Sequence, residues 1–431
     1  MNMKKLNFIL NTLLAVALLA TVSLMTVSCD DDEPPALTLT SLTAGTTDLN
    51  GATSATGVPV ASPITATFST GVDASSTGSI TLTRQYDNAV VPTTITVDGA
   101  TVTIDPNDNF GTGTLYILKF DAGLKSTGGK TLKEAIERNF TSEGTFAPPG
   151  AIAQWTFEDN ANDVVGNYDP TANQIVAITY GASHNAASGK AAVFNGTTSI
   201  IEVSNGDNLM KTSDFTMSFW AKPTPHTDNP DKGHFVMGLG AFYGFQFEIL
   251  GGYAGWKMPV GYTYNNNGTV GWAAEDNEFK GDGKNKDNGG WKGFLFTKDL
   301  TATGGPATML KDKWVNIVFV YNGTTKHGYY YANGELMREF DFNLWTNDQG
   351  VKDNKAYVTG LKYNGVAPDV VNELAFGFVQ SRAGTMWDAE PWGGYDLASA
   401  NHFKGSLDDV IVWHRPLTAA EITLMYNSGK P

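Results

Sequence analysis

Apolar and polar residues alternate in short runs through the first third of the chain. The clearest are ITATF at 64–68, SITLTR at 79–84, 93–97, 101–104 and TLYILKF at 114–120. A period of two is that of a half-buried strand, because successive side chains point to opposite faces. Asp98-Gly99, Asp105-Pro106 and Gly128-Gly129 supply turns between the runs. Several short strands at regular spacing predict a β-sandwich over residues 35–146. After Ala147-Pro148-Pro149-Gly150, a stiff linker, the apolar runs lengthen: FTMSFWA at 215–221, WVNIVFVY at 314–321 and HGYYYA at 327–332. Further strands are predicted at 191–194, 200–203, 245–250 and 374–378. Asn322-Gly323 and Asn333-Gly334 are hairpin dipeptides. The closing segment GSLDDVIVWHRPLTAAEITLMY predicts a buried strand at 410–413, then a helical turn capped by Thr418 with Glu421 three residues on. That strand needs a ladder partner, and IAQWTF at 152–157 is the natural one. No long amphipathic helix and no fixed-period repeat appears. The chain reads as all-β, with a second domain over 151–431.

Composition narrows the function. The chain has 431 residues and a formal net charge of −15, which excludes a nucleic-acid partner and suits neutral ligands or cations. A single cysteine, Cys29, excludes an internal disulfide. Lys4 and Lys5 precede an apolar run over 6–27, and Ser28-Cys29 then meets Asp30, Asp31, Asp32 and Glu33. This resembles a bacterial lipoprotein signal over 1–28, with lipid added at Cys29, followed by an acidic tether over 29–34. Thr26 stands where such signals prefer Leu. The competing reading is an uncleaved anchor, since the run is long enough to span a bilayer. The resemblance implies a membrane contact through the lipid and a place at the outer membrane or cell surface.

Two further resemblances follow from longer words. ATGVPVASPITATFSTGVD, TVDGATVTIDP, LYILKFDAGLKSTGGKTL and NFTSE are similar to bacterial Ig-like domains, which implies a stalk over 35–146. WTFEDNANDVVGNYD, GKAAVFNGTTSIIEV, DFTMSFWAKPT, WVNIVFVYNG, YYYANGEL and FKGSLDDVIVWHRPLTAAEI, in that order, resemble the laminin-G-like, concanavalin A-like lectin/glucanase superfamily. This implies a jelly-roll sandwich, with ligands bound on a sheet face or by rim loops. The stretches 223–313 and 341–371 are longer than simple connections, and long loops on a rigid sandwich are where binding usually sits.

Three kinds of site bear on function. Ca²⁺ takes about six to eight oxygen ligands, and the second resemblance implies a structural Ca²⁺ near the paired chain ends. The expected ligands are Asp159, Asn162 and Asp408, with carbonyls of 160–166. Alternation should let only one of Asp408 and Asp409 point inward. The competing reading has Asp408 bonding loop amides and the other acids solvated. A carbohydrate surface needs flat rings beside polar groups. Tyr243, Tyr253, Trp256, Tyr264, Trp272 and Trp291 in one stretch, amid Phe242, Tyr262, Asn265-Asn266-Asn267, Glu275 and Asp276, and Arg382, Trp387, Trp392 and Tyr395 in another, beside Asp388, Glu390 and Asp396, supply them. For any single ring, packing in the core competes with binding. Catalysis lacks a signature. Glucanases on this fold carry roughly E-x-D-x-x-E, and Glu335, Glu339 and Asp341 come nearest without matching it. The six histidines are scattered. The sequence therefore points to an envelope lipoprotein that binds an oligo- or polysaccharide without cleaving it. A protein-binding adhesin is the alternative, and a divergent glycosidase the third.

Overall fold

The computed structural model describes residues 36–347 and 349–431. The segment read as signal peptide, Cys29 and acidic tether lies outside them. Among the described residues no helix is long and apolar enough to cross a membrane. The chain forms two units, one built from residues up to Phe110 with Leu115–Thr141, the other from Gly111–Thr114 with Ser142–Pro431.

The first unit is a sandwich of two antiparallel sheets. One orders Thr47–Asp48, Leu39–Ala44, Ile64–Phe68, Thr101–Pro106 and Thr93–Asp98; the other orders Ala55–Val58, Ile136–Ser142, Leu115–Phe120 and Ile80–Arg84. Alternation works as read: Ile64, Ala66 and Phe68 are buried while Thr65 and Thr67 are half-exposed. Phe68 meets Phe120 of the opposite sheet edge-on at 5.6 Å.

The second unit is also a sandwich, larger and antiparallel throughout. A nine-stranded sheet orders Thr179–Ala182, Lys190–Asn195, Lys404–Trp413, Phe215–Pro223, Val315–Asn322, His327–Ala332, Glu335–Asp341 and Phe294–Thr297, with Ala151–Trp155 also paired to Lys404–Trp413. An eight-stranded sheet orders Ile175–Val176, Ile200–Val203, Leu374–Phe376, His234–Gly238, Gln246–Ile249, Trp256–Asn266 and Thr269–Phe279, with Val358–Leu361 joined to Trp256–Asn266. The two sheets close on one apolar core: Phe219 meets Phe247 at 4.8 Å, and Trp155 meets Phe376 at 5.0 Å.

The first and last strands of this unit do pair, Ala151 opposite Trp413 and Trp155 opposite Val410. The last strand is longer than its apolar run suggests, and its first half pairs with Lys190–Asn195 instead. Its inner neighbour is Phe215–Pro223, where Ser218 faces Ile411 and Trp220 faces Asp408. Phe219 thus opposes both Asp409 and Val410. That is a β-bulge, and Asp409 adopts a left-handed φ of 45° to make it. The C-terminal turn is a full helix, Ala419–Gly429, started by a Thr418/Glu421 capping box.

Candidate functional site

The face of the eight-stranded sheet turned away from the core carries a groove of about 750 Å³. Its floor follows from strand alternation. Phe247 and Ile249 point into the core, so Gln246 and Glu248 point out. Trp256, Met258 and Val260 are buried, so Lys257 and Pro259 point out beside them. Glu275 and Asp276 come from the pairing strand, Asp276 opposite Pro259. Lys257 Nζ lies 3.4 Å from Glu248 Oε2 and 3.6 Å from Asp276 Oδ2. Glu248 also accepts from Gln246 Nε2 at 3.1 Å. Burial pushes the Glu248 carboxyl up, against the pull of Lys257. Burial works against the Lys257 ammonium, but Glu248 and Asp276 outweigh it and raise it. Lys355 Nζ and Trp345 Nε1 both hold Glu275 Oε2, at 2.7 and 2.9 Å. The floor is a network of donors and acceptors fixed in place.

The walls are aromatic. Phe242 and Trp392 are each more than a third exposed, and Trp387 sits behind them at 7%. Trp387 meets Phe242 edge-on at 6.1 Å. Phe242 stacks on Tyr243 at 4.5 Å, and Tyr243 stacks on Trp272 at 5.7 Å with planes 9° apart. Trp392 rests on Phe235 at 5.9 Å. The loop bearing Trp387 and Trp392 has neither strand nor helix, and a series of backbone turn bonds together with side-chain contacts holds it. Arg382 donates to Glu202 through its backbone N at 2.7 Å and through Nη2 at 2.6 Å. Asn401 N donates to Trp392 O at 2.9 Å, and Tyr395 OH to Thr198 O at 2.5 Å. His402 Nε2 meets Tyr395 O at 2.8 Å, and its ring stacks on Phe378 at 4.4 Å.

Of the ten residues expected to bind sugar, Trp387 and Trp392 line the groove, and Tyr243 and Trp272 continue its ring stack. Arg382 and Tyr395 brace the loop and line a neighbouring cavity of about 370 Å³. Tyr264 binds Asn354 Nδ2 through its hydroxyl, towards the hairpin tip. Trp291 is 45% exposed and packs at 6.2 Å on Trp345. Tyr253 and Trp256 correct the expectation, since both are core residues at 1% and 0% exposure. The glycine-rich stretch 256–279 is a hairpin with eleven paired positions, and its inward residues include Trp256. Phe242 and Asp276, expected near these rings, do line the groove, while Phe235, Gln246, Glu248 and Lys257 were absent from the expected set. The alternation of Gln246 and Glu248 with Phe245, Phe247 and Ile249 was their one sequence signal.

The three expected calcium ligands have different surroundings. Asp159 pairs with Lys190 at 2.6 Å and is 65% exposed, and Asn162 is exposed. Asp163 closes this loop, accepting from the backbone N of Gln154, Val165, Asn167 and Tyr168. Asp408, fully buried, meets Ser183 Oγ and lies 3.5 Å from His184 Nδ1. Asp409 lies 3.9 Å from His184 Nε2 with about a third of its side chain exposed. The bulge turns both acids to one side, so the one-inward expectation from strict alternation does not hold. Burial pushes Asp408 up to about 8; burial and then the like charge of Asp408 push Asp409 up to about 7. Burial lowers His184 to about 4, leaving its ring neutral.

A bacterial Ig-like domain family model matches residues 31–142, and the first unit is such a domain. No curated protein matches the sequence. Among solved structures, the binding domain of Paraclostridial Mosquitocidal Protein 1 is 13% identical over 65% of this chain and 52% of its own, with a TM-score of 0.39. The Botulinum neurotoxin serotype D ligand binding domain in complex with N-acetylneuraminic acid is 12% identical over 65% and 51%, TM-score 0.39. Domain 4 of AbnA, a GH43 extracellular arabinanase from Geobacillus stearothermophilus, in complex with arabinotriose, is 16% identical over 64% and 98%, TM-score 0.35. The chain spans about half the length of the two toxin domains it matches.

Proposed function

We propose that the second domain, a sandwich of the laminin-G-like and concanavalin A-like kind, binds an oligosaccharide in this groove without cleaving it. One observation carries the reading: exposed rings of Phe242 and Trp392 stand over a floor of fixed amide, carboxylate and ammonium groups. Sugar rings offer apolar faces to the former and hydroxyls to the latter. The groove's volume falls within the about 300–1,000 Å³ that ligand pockets span. Binding is favoured over hydrolysis by the state of the acids. A glycosidase needs one carboxyl free to protonate and another free to attack or activate water. Glu248 and Asp276 share Lys257, and Glu275 is held by Lys355.

The resemblance of the N-terminus to a lipoprotein signal supports a tethered protein at the outer membrane or cell surface, with the Ig-like domain as its stalk. Affinity electrophoresis and a glycan array test the binding. Retardation by a polysaccharide, lost in Trp392→Ala, supports the reading. Release of reducing ends from that polysaccharide replaces it with the glycosidase. Capture of a protein partner with no glycan retained replaces it with the adhesin.

A further inference from the structure

A second cavity, of about 60 Å³, lies within the second unit beside the β-bulge, away from the groove floor. His184, Asp409, Asn316 and Ser188 line it. The ligand atoms of His184, Asp408 and Asp409 lie within 4.8 Å of one another. His184 cannot swing away, because its ring stacks on Trp220 at 4.1 Å with planes 10° apart. Its nitrogens meet the hydroxyls of Ser183 and Ser188, both at 2.9 Å.

A cluster of acids alone does not make a metal site. Here an independent feature points the same way. Asn316 is 1% exposed, and its Oδ1 has no hydrogen-bond partner among the described residues. The amide cannot be turned round, since Nδ2 donates to the carbonyl of Phe219 and to Ser218 Oγ, both at 3.3 Å. A buried acceptor with no donor thus lines the same cavity as the His184 imidazole and the Asp409 carboxylate, with the Asp408 carboxylate within 4.8 Å of both. An unsatisfied buried acceptor costs about 1–3 kcal/mol. A cation satisfies it and the carboxylates at once.

We propose that this cavity is a divalent-cation site, with the His184 imidazole, the Asp408 and Asp409 carboxylates and the Asn316 amide oxygen as its protein ligands. The mixed nitrogen and oxygen set selects a first-row ion such as Zn²⁺ or Mn²⁺; Ca²⁺ wants an all-oxygen shell. The separation of 3.9 Å between His184 Nε2 and Asp409 Oδ2 suits two ligands of one ion, each at about 2.0–2.2 Å from it. The cavity has room for the ion and a water, whose share of liquid volume is about 30 Å³. The ion ties the bulge of the last strand to the 183–188 turn and to the central strand Val315–Asn322. Its role is structural.

The test is calorimetric titration of the chelator-treated full chain with ZnCl₂, MnCl₂ and CaCl₂. One equivalent of Zn²⁺ or Mn²⁺ is expected, with a rise in Tm. Asp409→Asn, at the partly exposed position, should weaken binding by roughly tenfold or more, no less than loss of an outer-shell partner. X-ray absorption of the zinc-loaded wild type, which needs no variant, should show one imidazole per zinc with oxygen in the remaining positions. Absence of saturable Zn²⁺ and Mn²⁺ binding overturns the site. So does a zinc spectrum without imidazole, or an Asp409→Asn affinity equal to wild type. Binding of Ca²⁺ alone overturns the ion class. Glycan retention is read separately and is expected to survive chelation.

Discussion

Acid should loosen the groove wall through His402. This side chain is 2% exposed, and burial holds it down to about 4 from the usual 6.5. With Nε2–H donating to the carbonyl of Tyr395, Nδ1 is left with no partner among the described residues. A second proton would arrive at that unpaired, buried atom. Lys232 and His226 oppose it, while the Tyr395 carbonyl and Asp396 favour it. The sign follows from linkage. Between pH 6.5 and 4 the unfolded chain binds the proton and the fold does not, so the contribution is full above 6.5 and is lost as pH falls. By pH 5 the loss is about 2 kcal/mol relative to pH 8, at about 1.4 kcal/mol per tenfold in proton affinity. That is a large share of a net stability of about 5–15 kcal/mol. Asp408 and Asp409 are displaced the other way and contribute with opposite sign. The wild-type curve alone is therefore not diagnostic. The measurement is urea unfolding of wild type and His402→Gln from pH 5 to 8, where the glutamine amide can still reach Tyr395. The free-energy difference between the two should shift by about 2 kcal/mol across that range, with wild type losing more in acid. A difference that stays constant with pH refutes the reasoning.

Two other substitutions test the scaffold. Arg382→Ala leaves Glu202, only 4% exposed, without its guanidinium partner, and should cost about 2–4 kcal/mol in chemical denaturation, short of the 3–5 of a fully buried pair because Arg382 is partly solvated. Thr418→Ala removes the capping box that starts the last helix and should lower stability by about 1 kcal/mol, read as a small drop in Tm without change in glycan retention.

Much of the architecture was legible because it rests on local period. Ile64–Phe68 shows its alternation openly, and the apolar 315–321 run is a central strand buried on both faces. The pairing of Ala151–Trp155 with the last strand was legible from the need for a ladder partner. The capping box was legible from spacing alone. What escaped was set by contacts distant in sequence. In WKMPVGYTY the period of two is present, but Pro259 and Gly261 sit at its outward positions and disguise it as loop. Trp256 therefore looked available when it is core. The bulge at Asp409 depends on how the last strand meets Phe215–Pro223, which no local pattern records. The groove floor draws residues from three strands, and only their register brings Glu248, Lys257 and Asp276 together.

The central claim is that the rings over the sheet face receive a sugar. Its most direct measurement is the retention of the purified full chain on immobilised polysaccharides, with Trp392→Ala and Phe242→Ala run beside it. Loss of an exposed stacking ring is worth about 1–3 kcal/mol in comparable ring contacts, so each variant should bind about tenfold or more weakly. Both should keep the wild-type Tm, because both rings are more than a third exposed. Equal retention of wild type and both variants on the same glycan would contradict the account.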